Sequence, residues 1–213
     1  MPMTIFHEGP LKGMRCSTAS AYLHPAIKKH GDKLNVLTGV LTKQILFDVN
    51  ENKTPRTIGV EYFDASGATH QIIANKEVIV CAGSIQTPQL LQVSGIGHEN
   101  HLASIGVKPI FHNENVGTNL QDHLELYFQQ EVKKPISIAP VMTSRIRQLM
   151  LGLQWILTRN GLGSTNHFES ATFVKLSPEK TYPDVQFHFL PVGISYDGVT
   201  VAESKTGHSM QVN

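Results

Sequence analysis

Apolar positions recur at two spacings along this chain, and each spacing predicts its own element. Over Ser144–Arg159, the apolar residues Ile146, Leu149, Met150, Leu153, Ile156 and Leu157 fall at helical spacing. Gln186–Leu190 instead alternates, as a half-buried strand does. Ser17–His30 reads as a second helix, capped by Ser17 or Thr18, stopped at Gly31 and divided by Pro25. Strands are expected at Leu34–Thr38 and Lys43–Val49, followed by a polar turn from Asn50 to Pro55. Thr57–Phe63 and Thr69–Ala74 form a hairpin around Asp64-Ala65-Ser66-Gly67. His98–Ser104 is a short helix ending at Gly106. Further strands are expected at Glu77–Val80, Leu124–Val132 and Ala171–Lys175. The character of the chain changes after Asp122, which places a domain boundary near Leu124.

The run Val78-Ile79-Val80-Cys81-Ala82 leads into the most informative stretch, Gly83-Ser84-Ile85-Gln86-Thr87-Pro88-Gln89-Leu90-Leu91-Gln92-Val93-Ser94-Gly95-Ile96-Gly97. This reads as a strand, a small-residue turn and a short helix closed by glycine. Thr87 is the expected cap, with Pro88 at the first helical position, where a missing N–H costs nothing. Ala82, Gly83 and Ser84 carry almost no side chain, so a flat ligand could lie against their backbone near a helix N-terminus. Ordinary strand–helix packing would use the same small residues.

Composition narrows the function classes. The chain has 213 residues, 40% hydrophobic and 16% charged, as a packed soluble protein does. A net charge of +1 gives no electrostatic case for nucleic acid. No apolar run is long enough to span a bilayer, and the first residues lack the basic and apolar regions of a signal peptide. Cys16 and Cys81 give no disulfide framework, and Cys81 is expected as a small apolar filler of a buried strand. The 11 histidines form no tight metal-ligand spacing with a carboxylate.

The stretch Gly83–Gly97 resembles, at every constrained position, the second signature of the glucose–methanol–choline family of FAD-dependent alcohol oxidoreductases. Asn115-Val116-Gly117-Thr118-Asn119-Leu120-Gln121-Asp122-His123 is similar to that family's Asn-Leu-Gln-Asp-His segment, which follows at a similar distance. Without the family, it would read as a polar turn in which Asn119 and Asp122 bond their own backbone. The likeness covers nearly the whole chain and leans to the choline-oxidising branch. Ser20–Ala26, Gly59–Tyr62, Asp122–Glu125 and Asp184–Pro191 carry it there.

The resemblance implies an α/β (α+β) fold. Residues 1–123 would be the later part of a Rossmann-type FAD-binding domain. Residues 124–213 would begin a substrate domain built on an antiparallel sheet. Ala82 and Gly83 would lie at the adenosine side of FAD, and the Asn119–His123 segment near the flavin and the substrate channel. The backbone of Thr42 would pass the adenine, where residue-by-residue reading sees a plain strand position. Glu169 aligns with the carboxylate that faces a trimethylammonium group in choline-oxidising relatives. Read alone, it is a solvated carboxylate. Phe168 and Trp155 are candidate walls for a cation held by aromatic faces, or simply core.

The implied reaction is oxidation of an alcohol, choline favoured, to its aldehyde, with a histidine base taking the hydroxyl proton and hydride passing to flavin. No Gly-x-Gly-x-x-Gly occurs in the chain, and the family's catalytic histidine region has no counterpart here. The expectation is therefore an internal segment, with no catalytic residue of its own and inactive alone. The alternatives are a non-catalytic remnant acting through protein contacts, or a relative acting on another alcohol. The resemblance points to a mitochondrial or bacterial membrane-associated setting and leaves the electron acceptor open.

Overall fold

A computed structural model of the protein describes residues 11–49, 54–131, 137–168, 170–193 and 207–212. Near the N-terminus, Ser17 opens the expected helix, its Oγ accepting from the Ser20 N–H at 3.1 Å. The first turns are a π-helix, Ala19–Leu23, which gives way to α1, His24–His30. The change falls beside Pro25, which cannot donate a backbone hydrogen bond and fits the first turn of the new helix.

An antiparallel sheet of three strands follows, β1 (Leu41–Asp48), β2 (Arg56–Phe63) and β3 (Thr69–Ile73), in that order across the sheet. The turn between β2 and β3 is built around Asp64. Its Oδ1 accepts from the Ser66 N–H at 2.8 Å, the Ser66 hydroxyl at 2.6 Å and the Ala68 N–H at 3.0 Å. His70 Nε2 lies 2.7 Å from its Oδ2. The register between β1 and β2 shifts twice: Thr42 faces Tyr62 and Gln44 faces Glu61, so Lys43 is an extra residue in β1, and Leu46 faces Gly59 while Phe47 faces Thr57, so Ile58 is an extra residue in β2. Such a bulge bends a strand and re-aims its side chains.

Helix α2 (Gly83–Val93) packs beside β1. It leads to β4 (Ile96–Gly97), α3 (Glu99–Ser104) and β5 (Phe111–His112), with β4 and β5 paired in parallel. Leu102 of α3 is fully buried. The remaining elements are β6 (Leu126–Glu131), α4 (Ala139–Met142), α5 (Arg145–Thr158), β7 (Ser170–Val174), β8 (Val185–Leu190) and β9 (Gly207–Val212). Their four strands form an antiparallel sheet in the order β6-β9-β8-β7. A small core of Ile138, Ala139 and Val192 is pinned by the Ile138 N–H donating to the Pro191 carbonyl at 2.9 Å.

By packing, Asn35–Asp122 forms one compact unit, and Met1–Leu34 with His123–Asn213 forms the other. The architecture is thus the mixed helix-and-sheet class the sequence implies, with antiparallel sheets in both units.

Four local expectations fail. Leu34–Thr38 and Glu77–Val80 are not strands, because no strand among the described residues lies alongside to share a ladder. Cys81, expected as buried filler, is exposed for the same reason: no neighbouring strand covers it. Helix α2 begins at Gly83 and carries Pro88 inside it rather than at its first position. The partner that the missing Pro88 N–H would have had is the Ser84 carbonyl, one turn back in an exposed first turn, so little is lost there. The apolar stripe of α5 is present but none of the helix is buried, and Leu157 stays 80% exposed. The turn expected at Asn50–Pro55 falls largely outside the described residues.

Candidate functional site

Two clefts flank α2 within the Asn35–Asp122 unit. The first, of about 390 Å³, is lined by Leu41, Thr42, Lys43 and Phe63 from the sheet and by Ala82, Gln86, Gln89, Leu90 and Val93 from the helix side. In a regular strand, Leu41, Thr42 and Lys43 would alternate between two faces. All three nonetheless border this cleft, at the end of β1 where the bulge at Lys43 falls. The second, of about 400 Å³, runs along the other flank of α2, from Ser84, Ile85 and Pro88 to Gly117–Gln121.

The position of α2 against β1 is set by one side chain that sequence reasoning passed over. Ser94 is buried at the end of the helix. Its Oγ accepts from the Ile45 N–H of β1 at 2.8 Å and donates to the Leu90 carbonyl at 2.6 Å. One hydroxyl therefore closes the helix and satisfies an edge N–H of the sheet. Gly95 follows with φ +89°, and a Cβ there would stand 2.8 Å from both the Lys108 carbonyl oxygen and Ile110 Cγ1. This close approach brings residues 108–112 beside the end of the helix, where the Ile110 N–H donates to the Gly95 carbonyl at 2.8 Å.

Gln92 ties the two sequence motifs together. Its Nε2 donates to the Val116 carbonyl at 3.1 Å. Gly117, at φ +82°, has the same amide where a Cβ would sit, 2.5 Å away. Asn119 takes φ +56°, a left-handed conformation that asparagine tolerates, and its side chain donates to Thr118 Oγ1 at 3.3 Å. The segment from Asn115 is therefore seated against the signature helix.

The charged side chain that lines the first cleft, Lys43, is already engaged. The Glu61 carboxylate is 7% exposed and meets Lys43 Nζ at 2.7 Å, with Gln44 and Gln71 amides each at 3.0 Å. The bond from Lys43, then that from Gln71, holds the Glu61 carboxyl below the ordinary glutamate range. Lys43 also lies 5.4 Å from the Phe63 ring centroid. Asp64, at the far turn, is likewise held low, by the Ser66 hydroxyl first and His70 next.

The structure brings some of the expected site residues together and separates others. Thr42 and Ala82 line the first cleft and Asn119 the second. Gly83 stands between Ala82 and Ser84, where the two clefts begin. Its φ is +88° and no atom lies within 4 Å of where its Cβ would be. The backbone there is open to a ligand. That openness, and apolar walls with a few polar groups, fit a flavin dinucleotide's adenosine side. His123 is exposed and belongs to the other compact unit. Glu169 lies outside the described residues. Phe168 meets His188 edge-on, ring centroids 5.2 Å apart. Trp155 donates from Nε1 to the Gly13 carbonyl at 2.7 Å, with the Arg159 guanidinium 4.1 Å over its ring. It serves local packing in the unit that holds it.

Residues 4–125, more than half of the chain, match the GMC oxidoreductase family. The chain belongs to the GMC oxidoreductase family. It is 43% identical over 207 residues to the oxygen-dependent choline dehydrogenase of Vibrio vulnificus (strain YJ016), covering 97% of this chain and 35% of that protein. Against the oxygen-dependent choline dehydrogenase of Staphylococcus xylosus the identity is 42% over 200 residues, covering 94% and 34%. The chain spans about a third of the length of the curated relatives it matches. Among solved structures, a formate oxidase from Aspergillus oryzae RIB40, studied for FAD modification, superposes with a TM-score of 0.74 at 20% identity, over 86% of this chain and 36% of that one. Pyridoxine 4-oxidase from Mesorbium loti gives 0.66 at 21% identity, over 94% and 34%. These likenesses carry the fold. The family's cofactor is FAD.

Proposed function

We propose that this segment forms the adenosine side of an FAD site and part of the alcohol-binding region of a flavin-dependent alcohol dehydrogenase, with choline the favoured substrate. One observation carries the cofactor half. Thr42 and Ala82, 40 positions apart in sequence, line one cleft at the base of a helix whose first residue leaves its backbone open. Bound FAD supplies the two-electron acceptor for oxidation of a CH–OH group. The residues of this chain bind and orient: the Ala82–Ser84 backbone admits the ligand, Thr42 borders it, and Asn119 faces the second cleft. On this reading residues 1–123 belong to the cofactor domain and 124–213 to the substrate domain.

The choline half rests on the names of the relatives and on Glu169. A quaternary ammonium cannot donate an N–H hydrogen bond, so a carboxylate near it contributes through charge. The test uses a polypeptide of the relatives' length that carries this sequence. Glu169→Gln keeps shape and removes charge. It is expected to weaken choline by about 1–3 kcal/mol in kcat/KM relative to an uncharged analogue bearing a tert-butyl group. An equal loss for both substrates would show that Glu169 acts through structure and would remove the charge argument for choline.

A further inference from the structure

We infer that Gln86 is the residue that reads the purine in the first cleft and makes it selective for adenine. This rests on the proposal that the cleft takes the adenosine end of the cofactor. Two polar side chains at or near the cleft are already spoken for. Lys43 is held by Glu61 at 2.7 Å. Gln92, on the same helix, is spent on the Val116 carbonyl. Among the described residues, the side-chain amides of Gln86 and Gln89, both of which line the cleft, bond to no protein group.

Of these two, the helix geometry selects Gln86. It lies four residues after Ala82, one turn along the same face of α2. Helical side chains lean toward the N-terminus and cover the preceding turn. Gln86 therefore extends over the small-residue turn where the backbone is open. Gln89 lies a turn further on and borders both clefts.

The chemistry of the group fits one base. A carboxamide presents a donor and an acceptor side by side in one plane. Adenine presents the complementary pair, the N6 amino donor next to the N7 acceptor, and glutamine or asparagine reads this pair in two parallel bonds. Guanine offers two acceptors on the same edge, O6 and N7, so the amide carbonyl would face an acceptor. The apolar side chains of Phe63, Leu90 and Val93 supply surface for the ring.

The experiment uses ADP and GDP as probes, titrated calorimetrically into flavin-free enzyme of the relatives' full length. The wild type is expected to bind ADP at least about tenfold more tightly than GDP. Gln86→Leu should weaken ADP by roughly 5- to 150-fold, the value of one bidentate base contact, and should lose the preference over GDP. Gln86→Asn, which keeps the amide but shortens its reach, should fall between, and Gln89→Leu should leave the preference intact. Unchanged ADP affinity in both Gln86 variants would overturn the role of Gln86 while leaving the cofactor site standing. Failure of the wild type to bind either ADP or FAD would overturn the site and this inference together.

Discussion

Replacing Ser94 with alanine isolates the joint that holds the candidate cofactor cleft open. The hydroxyl makes two bonds, and their losses are unequal. The Leu90 carbonyl keeps a second donor, the Ser94 backbone N–H at 3.1 Å, so its loss is small. The Ile45 N–H, on the edge strand of the sheet, donates to Ser94 Oγ within the buried interface between β1 and α2. Ile45 is 6% exposed and Ser94 4%, so water does not readily take the place of the hydroxyl. An orphaned buried donor costs about 1–3 kcal/mol. In thermal unfolding of an enzyme of the relatives' length, about three times that of this chain, that corresponds to roughly 1 °C per kcal/mol. The same loss frees α2 from β1, so flavin content of the purified full-length enzyme, read from its visible absorbance, should fall in parallel. Ser94→Thr keeps the hydroxyl and separates its loss from steric disturbance. A Ser94→Ala protein with an unshifted midpoint and full flavin content would refute the reasoning, because the hydroxyl would then not be what sets the helix against the strand.

Gly95→Ala is expected to destabilise well beyond the about 1–2 kcal/mol of a left-handed backbone, because its Cβ also meets the Lys108 carbonyl and Ile110. Gly39→Ala, at φ +69° with open space, should show the backbone part alone, and equal losses in denaturant titrations would disprove the close-approach argument. Gly83→Leu has room for its side chain but projects it where the ligand would lie, so flavin retention should vanish while the folded fraction drops only modestly. Normal flavin content in that variant would dismiss the turn as part of the site. Acid should loosen the three-stranded sheet. Glu61 and Asp64 titrate below their unfolded values, so their contribution is complete above the ordinary carboxylate range and is lost as pH falls through the lowered folded values. Denaturation midpoints should therefore stay flat from pH 7 to about 5 and drop below about 4. An identical drop in a Glu61→Gln, Asp64→Asn double variant would place the acid sensitivity elsewhere.

Local signals in the sequence sufficed wherever the determinant was itself local. The Asp64-Ala65-Ser66-Gly67 turn sits between two strand-forming runs, and one carboxylate satisfies its N–H groups, so the hairpin was legible. Helix α5 was legible because its apolar spacing and the Ser144 cap act within the helix, the Ser144 side chain accepting from Arg147. The family, and with it the cofactor, was legible through the resemblance of the whole Gly83–Gly97 motif to the family signature, since small residues before a helix would serve ordinary strand–helix packing as well.

What the sequence left undetermined depends on partners distant along the chain. A strand is defined by a neighbour, so apolar runs at Leu34–Thr38 and Glu77–Val80 read as strands and are not. β9, with its weakly alternating Gly207-His208-Ser209-Met210-Gln211-Val212, was missed because its place between β6 and β8 comes from the sheet. Periodicity likewise foretold that α5 has an apolar face but not that the face is exposed. The bulge at Lys43, the Ser94 hydroxyl shared between α2 and β1, and the Gln92 amide seated on Gly117 are each contacts between separate segments. No propensity or period encodes them. They are what turns two motifs into one cleft on either side of a helix.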